Sequence, residues 1–476
     1  MKLKIIFGLI TVSVNLGIAQ TPRTGHSEGM VTINSAPIHY KSVVEENFMP
    51  VQGDTVGSII TTSYLAESAA SQNRPVVFLF NGGPGASSSP LHMYAFGPVR
   101  LKKSQDSTIP VNNQYSLLDV ADLVFIDPMG TGFTRVFKES KARDYWDVEG
   151  DARSIIETIK NWKKKYNRES SPTFVCGESY GTIRASEMLG IAENFQVDGV
   201  LLFSMTIDFS LESPVSGNEM PYLLTIPSMT AIASYYHKSG DAYATPQMAF
   251  NAGADFARGD YVRALFKGNT LTDEERTLVG RKLSKLIGLS MKTILDHNLR
   301  ITTENFEMLL LKDENRRIGK LDARISAPLP DTSIPYSARD DPSLRVNTIM
   351  SKDAVGKYFR QQLGFPDTSL YKSVDFDVNG KWKWTSMDAY LGYYSVLPKL
   401  EKALHDNSKL RLLVAGGMYD LATPLYAGKY LLGQSSIPTD RTTFLSFPTG
   451  HSIFQDESAL AKLSREVKHF IIGEKK

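Results

Sequence analysis

Cysteine and net charge are the two features that this sequence has least of. Cys176 is the one cysteine among 476 residues, so no disulfide can form within the chain, and a large packed core has to stabilise the fold. The cysteine ends an apolar run, residues 173–176, and we interpret it as a buried strand residue rather than a reactive thiol. Lysine and arginine (53) nearly balance aspartate and glutamate (51), so we expect no nucleic-acid partner.

Long apolar segments are also rare, and the one that stands out lies at the N-terminus. Lys2 and Lys4 precede an apolar stretch at 5–18, which predicts a signal peptide over residues 1–19 with cleavage between Ala19 and Gln20. The stretch is shorter than the roughly 20 residues of a membrane span, and a buried first helix is the alternative. We therefore expect an exported protein, periplasmic or secreted, with no integral membrane segment once the signal is removed. The oligomeric state cannot be read from the sequence.

Short apolar runs with the length of buried strands recur along the chain. They occupy residues 76–80, 122–126, 173–176, 200–203, 410–415 and 443–447. Between the second and third runs, residues 147–166 have helical spacing, and a strand-helix-strand order predicts a parallel sheet. Residues 30–65 alternate enough to predict antiparallel strands that enter the same sheet. Loops after such parallel strands are where open α/β sheets place their functional sites.

A serine lies in one of these loops, within Gly-Glu-Ser-Tyr-Gly at 177–181. The pentapeptide follows a predicted strand and precedes a predicted helix start at 184–189. That context is the one a nucleophile elbow needs, because small residues on either side let the backbone turn sharply and expose the hydroxyl. We predict that Ser179 is a nucleophile. The alternative is a glycine-containing turn with an incidental serine.

A serine nucleophile needs a histidine base and an acid that orients the histidine. Five histidines follow Ser179 in the chain: His237, His297, His405, His451 and His469. Only His451 directly follows a predicted strand, and Asp420 lies in the loop after the preceding strand. This is the chain order Ser, Asp, His that α/β-hydrolases use. A structural histidine and a helix N-cap aspartate are the alternative interpretations of His451 and Asp420.

Together with other motifs, these residues resemble the serine carboxypeptidase family (peptidase S10), in its bacterial type. The motifs lie between residues 76 and 451 and come in the family's order. They are Asn81-Gly82-Gly83-Pro84-Gly85, Ser87-Ser88, Gly97-Pro98, the Asp-Pro-Met-Gly-Thr-Gly-Phe of 127–133, the pentapeptide of 177–181, the Gly-x-x-Asp of 417–420, and Gly450-His451. The resemblance does not extend over most of the region between 209 and 384.

The resemblance implies roles for the residues around the predicted nucleophile. Gly83 and Tyr180 stand where the family places its oxyanion hole, formed by backbone amides. Asn81, Gly82 and Glu178 stand where it holds the free C-terminal carboxylate of a peptide substrate. A glutamate can donate to a carboxylate only while protonated, which implies a preference for acidic conditions. The resemblance implies no metal and no cofactor.

The nucleophile elbow and the family resemblance together predict an α/β-hydrolase fold. Such a fold has a mostly parallel central sheet flanked by helices, and here we expect an inserted, mainly helical cap domain. Residues 209–384 are assigned to the cap because they contain amphipathic stretches such as 273–294 and a proline-rich break at 327–335. Residues 20–208 and 385–476 are then the two parts of the hydrolase core.

Three positions depart from the family pattern. Ala95 stands where a second glutamate usually helps to bind the carboxylate, Ala86 where a disulfide cysteine is common, and Ser452-Ile453 where a methionine often follows the histidine. The leading hypothesis is a carboxypeptidase that acts through an acyl-enzyme on Ser179. Ala95 keeps an esterase or acyltransferase open as the alternative. A non-catalytic hydrolase-fold binding protein is the third possibility.

Overall fold

The computed structural model describes residues 21–67, 73–104, 107–191, 195–330, 341–347, 354–384 and 393–473. The predicted signal peptide lies outside these residues. The strands are β1 (Thr24–Ile33), β2 (Ala36–Val51), β3 (Asp54–Ala66), β4 (Val76–Phe80), β5 (Val99–Ser104), β6 (Ser107–Asn112), β7 (Asp122–Asp127), β8 (Thr173–Glu178), β9 (Gly199–Phe203), β10 (Arg316–Ile318), β11 (Ser326–Pro328), β12 (Arg411–Gly417) and β13 (Thr442–Phe447).

Nine of these strands form one central sheet in the order β1-β2-β3-β7-β4-β8-β9-β12-β13. The first three pair antiparallel with one another, and β3 pairs antiparallel with β7. From β7 to β13 every neighbouring pair is parallel. The predictions of a parallel sheet from six apolar runs, and of antiparallel strands before residue 76, are confirmed. β5 and β6 form a separate two-stranded ribbon, and β10 and β11 another.

Helices cover both faces of the central sheet. They are α1 (Glu139–Ala142), α2 (Val148–Lys165), α3 (Tyr180–Ile191), α4 (Met220–Tyr235), α5 (Pro246–Phe256), α6 (Val262–Lys267), α7 (Asp273–Ile287), α8 (Met291–Asp296), α9 (Thr303–Leu309), α10 (Pro342–Asn347), α11 (Ala354–Gln361), α12 (Phe376–Lys381), α13 (Leu397–Asp406), α14 (Leu425–Gln434) and α15 (Glu457–Ile472). Apolar residues of α2, α3 and α13 pack on one face, and those of α15 on the other. The middle strands are therefore buried on both sides, which explains their uninterrupted apolar sequence.

The segment between β9 and β12 is mainly helical in its described residues, with β10 and β11 as short strands. Its helices have an apolar cluster of their own, which extends onto Tyr419, Leu421 and Leu425 beside the end of β12. This contact places the segment next to the C-terminal end of β12. The boundaries at 209 and 384 remain predictions.

The prediction of one amphipathic stretch over 273–294 is wrong in its length. α7 begins at a capping box between Thr272 and Glu275 and ends at Gly288, whose φ of +73° is the left-handed conformation of a helix C-terminus. A new helix, α8, then begins after Ser290, whose side chain accepts from the amide of Thr293. No helix in the described ranges has the length and hydropathy of a membrane span.

Candidate active site

Ser179 occupies the one-residue turn between β8 and α3. Its φ of +59° is left-handed, a conformation that a non-glycine residue adopts only when its surroundings impose it. Its amide donates to the carbonyl of Phe203 at 2.9 Å, and its carbonyl accepts from the hydroxyl of Thr182 at 2.7 Å. A Cβ on Gly177 would collide with the carbonyl oxygen of Gly181, so the turn requires glycine there. The predicted strand-turn-helix is present, and Ser179 lines a cleft.

His451 and Asp420 lie in the loops after β13 and β12, two neighbouring parallel strands. The Nδ1–H of His451 donates to Oδ2 of Asp420 at 2.7 Å. Asp420 is fully buried, whereas His451 lines the same cleft as Ser179. The backbone of His451 is held by Ser204, whose hydroxyl donates to its carbonyl at 2.5 Å, and by the carbonyl of Leu321, which accepts from its amide at 2.6 Å.

Asp420 is saturated with hydrogen-bond donors. Besides His451, its Oδ2 accepts from the hydroxyl of Thr423 at 2.6 Å, and its Oδ1 accepts from the amides of Ala422 and Thr423 at 2.8 and 3.1 Å. These bonds fix the carboxylate in a turn of its own. The alternative interpretation of Asp420 as a helix N-cap does not hold, because α14 begins only at Leu425, after Pro424.

The electrostatic environment of His451 favours the charged imidazolium. Burial by itself lowers the pKa of the ring, but the negative charge and hydrogen bond of Asp420 outweigh burial and raise it above its usual range. Glu178 and Glu212 act in the same direction from farther away. Glu212 was not singled out from the sequence. Burial raises the pKa of its own carboxyl to about 8.

The Asn-Gly-Gly loop after β4 packs directly on the Ser179 turn. A Cβ on Gly82 would lie 2.7 Å from the amide nitrogen of Gly181 and nearer still to that of Tyr180, so only glycine permits this approach. Gly83 lines the cleft with a φ of +100°. The structure thus brings the two predicted oxyanion-hole positions, Gly83 and Tyr180, to neighbouring segments.

Glu178 is buried beneath the cleft, with a hydrogen-bond donor at each carboxyl oxygen. Nδ2 of Asn81 donates to Oε2, and the hydroxyl of Ser452 donates to Oε1 at 3.0 Å. Burial raises the pKa of the Glu178 carboxyl to about 7, although the charge of His451 and the two donors oppose this shift. The three residues predicted to bind a carboxylate, Asn81, Gly82 and Glu178, all line the cleft.

The remaining walls of the cleft are mostly apolar, around a cavity volume of about 380 Å³. They include Pro90, Tyr94, Leu321, Val374, Phe376 and Phe454. Lys320 and Glu304 also line the cleft and form an ion pair of 3.0 Å. Ala95 is fully buried in a π-helical turn, Leu91–Phe96, and it is its neighbour Tyr94 that reaches the cleft.

Some residues that hold the site together were missed from the sequence. Arg184 is fully buried on α3; its Nε donates to Asp151 on α2 at 2.7 Å, and its Nη1 donates to the carbonyl of Asn81 at 2.6 Å. The hydroxyl of Tyr180 also donates to Asp151, at 2.9 Å. No local pattern marks an ion pair between two helices. The bond from the amide of Ala422 to Asp420 is one that an aspartate commonly forms with the backbone two residues on, but nothing in the sequence marks the hydroxyl of Thr423 as its partner.

Cys176 and the four histidines that were not assigned a catalytic role do not line the cleft. Cys176 is a buried residue of β8, as predicted. His237, His297, His405 and His469 lie outside the cleft. Within the described residues there is no group of three His, Cys, Asp or Glu side chains that could hold a metal ion.

Known proteins resemble this chain in both sequence and fold. The family profile for serine carboxypeptidase matches residues 63–186. A pheromone-processing carboxypeptidase of Schizosaccharomyces japonicus is 28% identical over 165 residues, which are 34% of this chain and 30% of that protein. Serine carboxypeptidase-like 7 of Arabidopsis thaliana is 34% identical over 114 residues, 23% of this chain and 26% of that protein. The matched part is thus less than a third of either relative.

A solved structure extends the likeness in fold over nearly the whole chain. It is a prohormone-processing carboxypeptidase from Saccharomyces cerevisiae, which superposes with a TM-score of 0.53 at 14% identity and covers 95% of this chain and 92% of that one. The fold is therefore that of the α/β-hydrolases, as predicted.

Proposed function

We propose that the chain is a member of the serine carboxypeptidase family, whose profile matches residues 63–186, and that it removes C-terminal residues from peptides through an acyl-enzyme on Ser179. One observation carries the proposal. Ser179, Glu178 and His451, which is bonded to Asp420, all line one cleft, and this supports a nucleophile and base that act next to a carboxyl group suited to bind a carboxylate.

In the proposed reaction, Oγ of Ser179 attacks the carbonyl carbon of the last peptide bond while Nε2 of His451 accepts the hydroxyl proton. The C–N bond then breaks, and His451 returns that proton to the leaving amine, which departs as a free amino acid. A water molecule attacks the resulting ester, again giving a proton to His451, and Ser179 recovers it as the shortened peptide leaves. Asp420 holds the Nδ1–H throughout, so that Nε2 is the free acceptor.

The negative charge that develops on the carbonyl oxygen needs donors, and we propose the amides of Gly83 and Tyr180 for this role. The close approach of Gly82 to the amide of Tyr180 supports this role, because it brings the loop that contains Gly83 next to the turn that contains Tyr180. Each such donor contributes about 3–4 kcal/mol to the transition state in other hydrolases.

Substrate selection is proposed to rest on the free carboxylate, which Asn81, Gly82 and protonated Glu178 would bind. The pKa of about 7 for Glu178 supports this, because the carboxyl then carries its proton in neutral to acidic solution. Esterase or acyltransferase activity is the second candidate. The buried methyl group of Ala95 favours it, since this position supplies no second acid.

Labelling with a serine-reactive phosphonate tests the enzyme proposal. We expect a single adduct on Ser179 and none in Ser179→Ala. Absence of labelling in folded wild-type protein would refute catalysis and favour a binding protein.

The substrate class is tested by comparing N-blocked dipeptides with their C-terminal amides and with blocked amino-acid esters. A preference for the free acid that disappears in Glu178→Ala supports the carboxypeptidase. Equal or faster cleavage of esters, without that preference, would instead identify an esterase.

Export to the periplasm or medium remains part of the proposal, supported only by the predicted signal peptide at 1–19. The proposed partner is a peptide substrate.

A further inference from the structure

Ser452 has a hydroxyl whose direction is not explained by its own backbone. It directly follows His451 and is the N-cap of a three-residue 3-10 turn, Ile453–Gln455. A serine in this position commonly accepts from an amide of the turn, but Ser452 makes no such bond. Its Oγ donates to Glu178, 274 positions away in the chain. The carboxyl group, and not the local turn, orients this hydroxyl.

The second donor on Glu178 differs from Ser452 in its freedom. Oδ1 of Asn81 accepts from the amide of Leu91 at 3.1 Å, which fixes the amide group so that Nδ2 faces Glu178. Nδ2 can only donate. The hydroxyl of Ser452 can rotate, donate and accept. Of the two groups on Glu178, Ser452 is therefore the one that can respond to a proton.

Glu178 is a carboxyl group that can gain that proton under ordinary conditions. The titratable groups that face it are His451, Asp420 and the thiol of Cys176, and burial dominates over them in raising its pKa to about 7. While Glu178 is charged, the hydrogen of Ser452 is bonded to Oε1. Once Oε1 carries a proton, it can donate to Oγ, and the hydrogen of Ser452 is released toward the cleft that both residues line.

We propose that Ser452 is a selectivity residue for the substrate carboxylate. Its hydroxyl holds Glu178 in the free enzyme and, when Glu178 is protonated, accepts from Glu178 and donates its own hydrogen to the C-terminal carboxylate. A proton on Glu178 thereby makes the hydrogen of Ser452 available to the substrate. This inference rests on the proposed function and changes one part of it: the proton of Glu178 is donated to Ser452, and Ser452 rather than Glu178 donates to the substrate.

The consequence is a discrimination between acids and amides that depends on pH. A carboxylate accepts the Ser452 hydrogen, whereas the amino group of a C-terminal amide presents hydrogens of its own. Loss of one hydrogen bond to a charged group corresponds to a loss of affinity of roughly ten-fold to a hundred-fold.

The experiment measures binding without turnover. Calorimetry with an N-blocked dipeptide and with its C-terminal amide compares Ser179→Ala with Ser179→Ala/Ser452→Ala, below and above the pKa of Glu178. We expect the second change to weaken binding of the acid at least about ten-fold at the lower pH, less at the higher pH, and to leave the amide within about two-fold. In kinetics, Ser452→Ala alone should raise KM for the acid with little change in kcat.

Two further variants separate this role from a structural one. Ser452→Thr keeps the hydroxyl and should restore binding of the acid. Ser58→Ala removes a hydroxyl that donates at 2.7 Å to another buried carboxylate, Glu46, and should leave binding of both ligands unchanged.

Equal affinity of the acid in both backgrounds would overturn the inference, as would equal weakening of acid and amide at both pH values. A wild type that binds the dipeptide acid but does not hydrolyse it would refute the peptidase proposal. The binding titration would still decide the role of Ser452.

Discussion

Replacement of Asp420 by asparagine isolates the contribution of one oxygen atom. Oδ1 accepts from two backbone amides, Ala422 and Thr423, so an asparagine that turned its Nδ2 toward them would set donors against donors inside the protein. Each lost bond there costs about 1–3 kcal/mol. The asparagine is therefore expected to keep its oxygen on the amides and present Nδ2 to His451. A donor at that place forces the ring proton onto Nε2, the atom that must accept from Ser179.

The expected loss in kcat for Asp420→Asn is on the order of ten-thousand-fold, about 5.5 kcal/mol of transition-state stabilisation. Because Asp420 raises the pKa of His451, its neutralisation should also move the acid limb of the residual pH–rate profile to lower pH. The assay is single-turnover hydrolysis of an N-blocked dipeptide or ester.

Asp127→Asn is the matched control for this experiment. Asp127 is a buried aspartate that accepts from the amide and hydroxyl of Ser88 at 2.8 and 2.6 Å and from the hydroxyl of Tyr371 at 2.8 Å, with no histidine partner. The Asp127→Asn variant should lower the free energy of unfolding and leave kcat unchanged. A folded Asp420→Asn enzyme that retains more than about a tenth of wild-type kcat would refute the proposed role of Asp420.

Two other substitutions examine the oxyanion loop and the carboxylate. Gly82→Ala should lower kcat by roughly a hundred-fold or more, because the added Cβ displaces the amides of Tyr180 and Gly181. The control is Gly433→Ala on α14, whose Cβ would meet nothing within 4 Å and which should remain active. An active Gly82→Ala enzyme would contradict the proposed loop geometry. For free-acid substrates, the KM of the wild type should rise as the pH increases past about 7, because Glu178 then loses its donor proton. Glu178→Gln keeps a donor at every pH, so its KM should not change with pH. The same dependence of KM on pH in both enzymes would exclude Glu178 as the group responsible.

The parallel strands of the fold could be predicted almost residue by residue. The predicted run at 76–80 matches β4, and the other five runs differ from their strands by at most two residues at either end. β4, β7, β8 and β9 are buried along their whole length, so their sequence is mostly apolar and ends at glycine or polar residues. β13 is only partly buried, and Ser446 interrupts its apolar run. The end of α7 before Gly288 was harder to predict, because the apolar spacing continues across the break into α8.

The same contrast applies to the site. Ser179, Asp420 and His451 could be selected because each follows a strand, and strand ends of a parallel sheet share one edge. The bond from Ser452 to Glu178 and the ion pair of Arg184 with Asp151 join residues without a shared local pattern. Contacts of this kind depend on how α2, α3 and the loops pack, which a single sequence does not record.

The strands that carry the predicted site differ in how firmly they are held. β8, which precedes Ser179, lies between two strands, but β13, which precedes His451, is the last strand at one end of the sheet and is only partly buried. An outer strand opens at a lower free-energy cost than an inner one. Catalytic competence would then be lost through local opening that leaves most of the fold intact. The proposed activity would therefore report a loss of conformational stability earlier than circular dichroism does. A ligand that binds to β13 would be able to inhibit this activity without contacting Ser179.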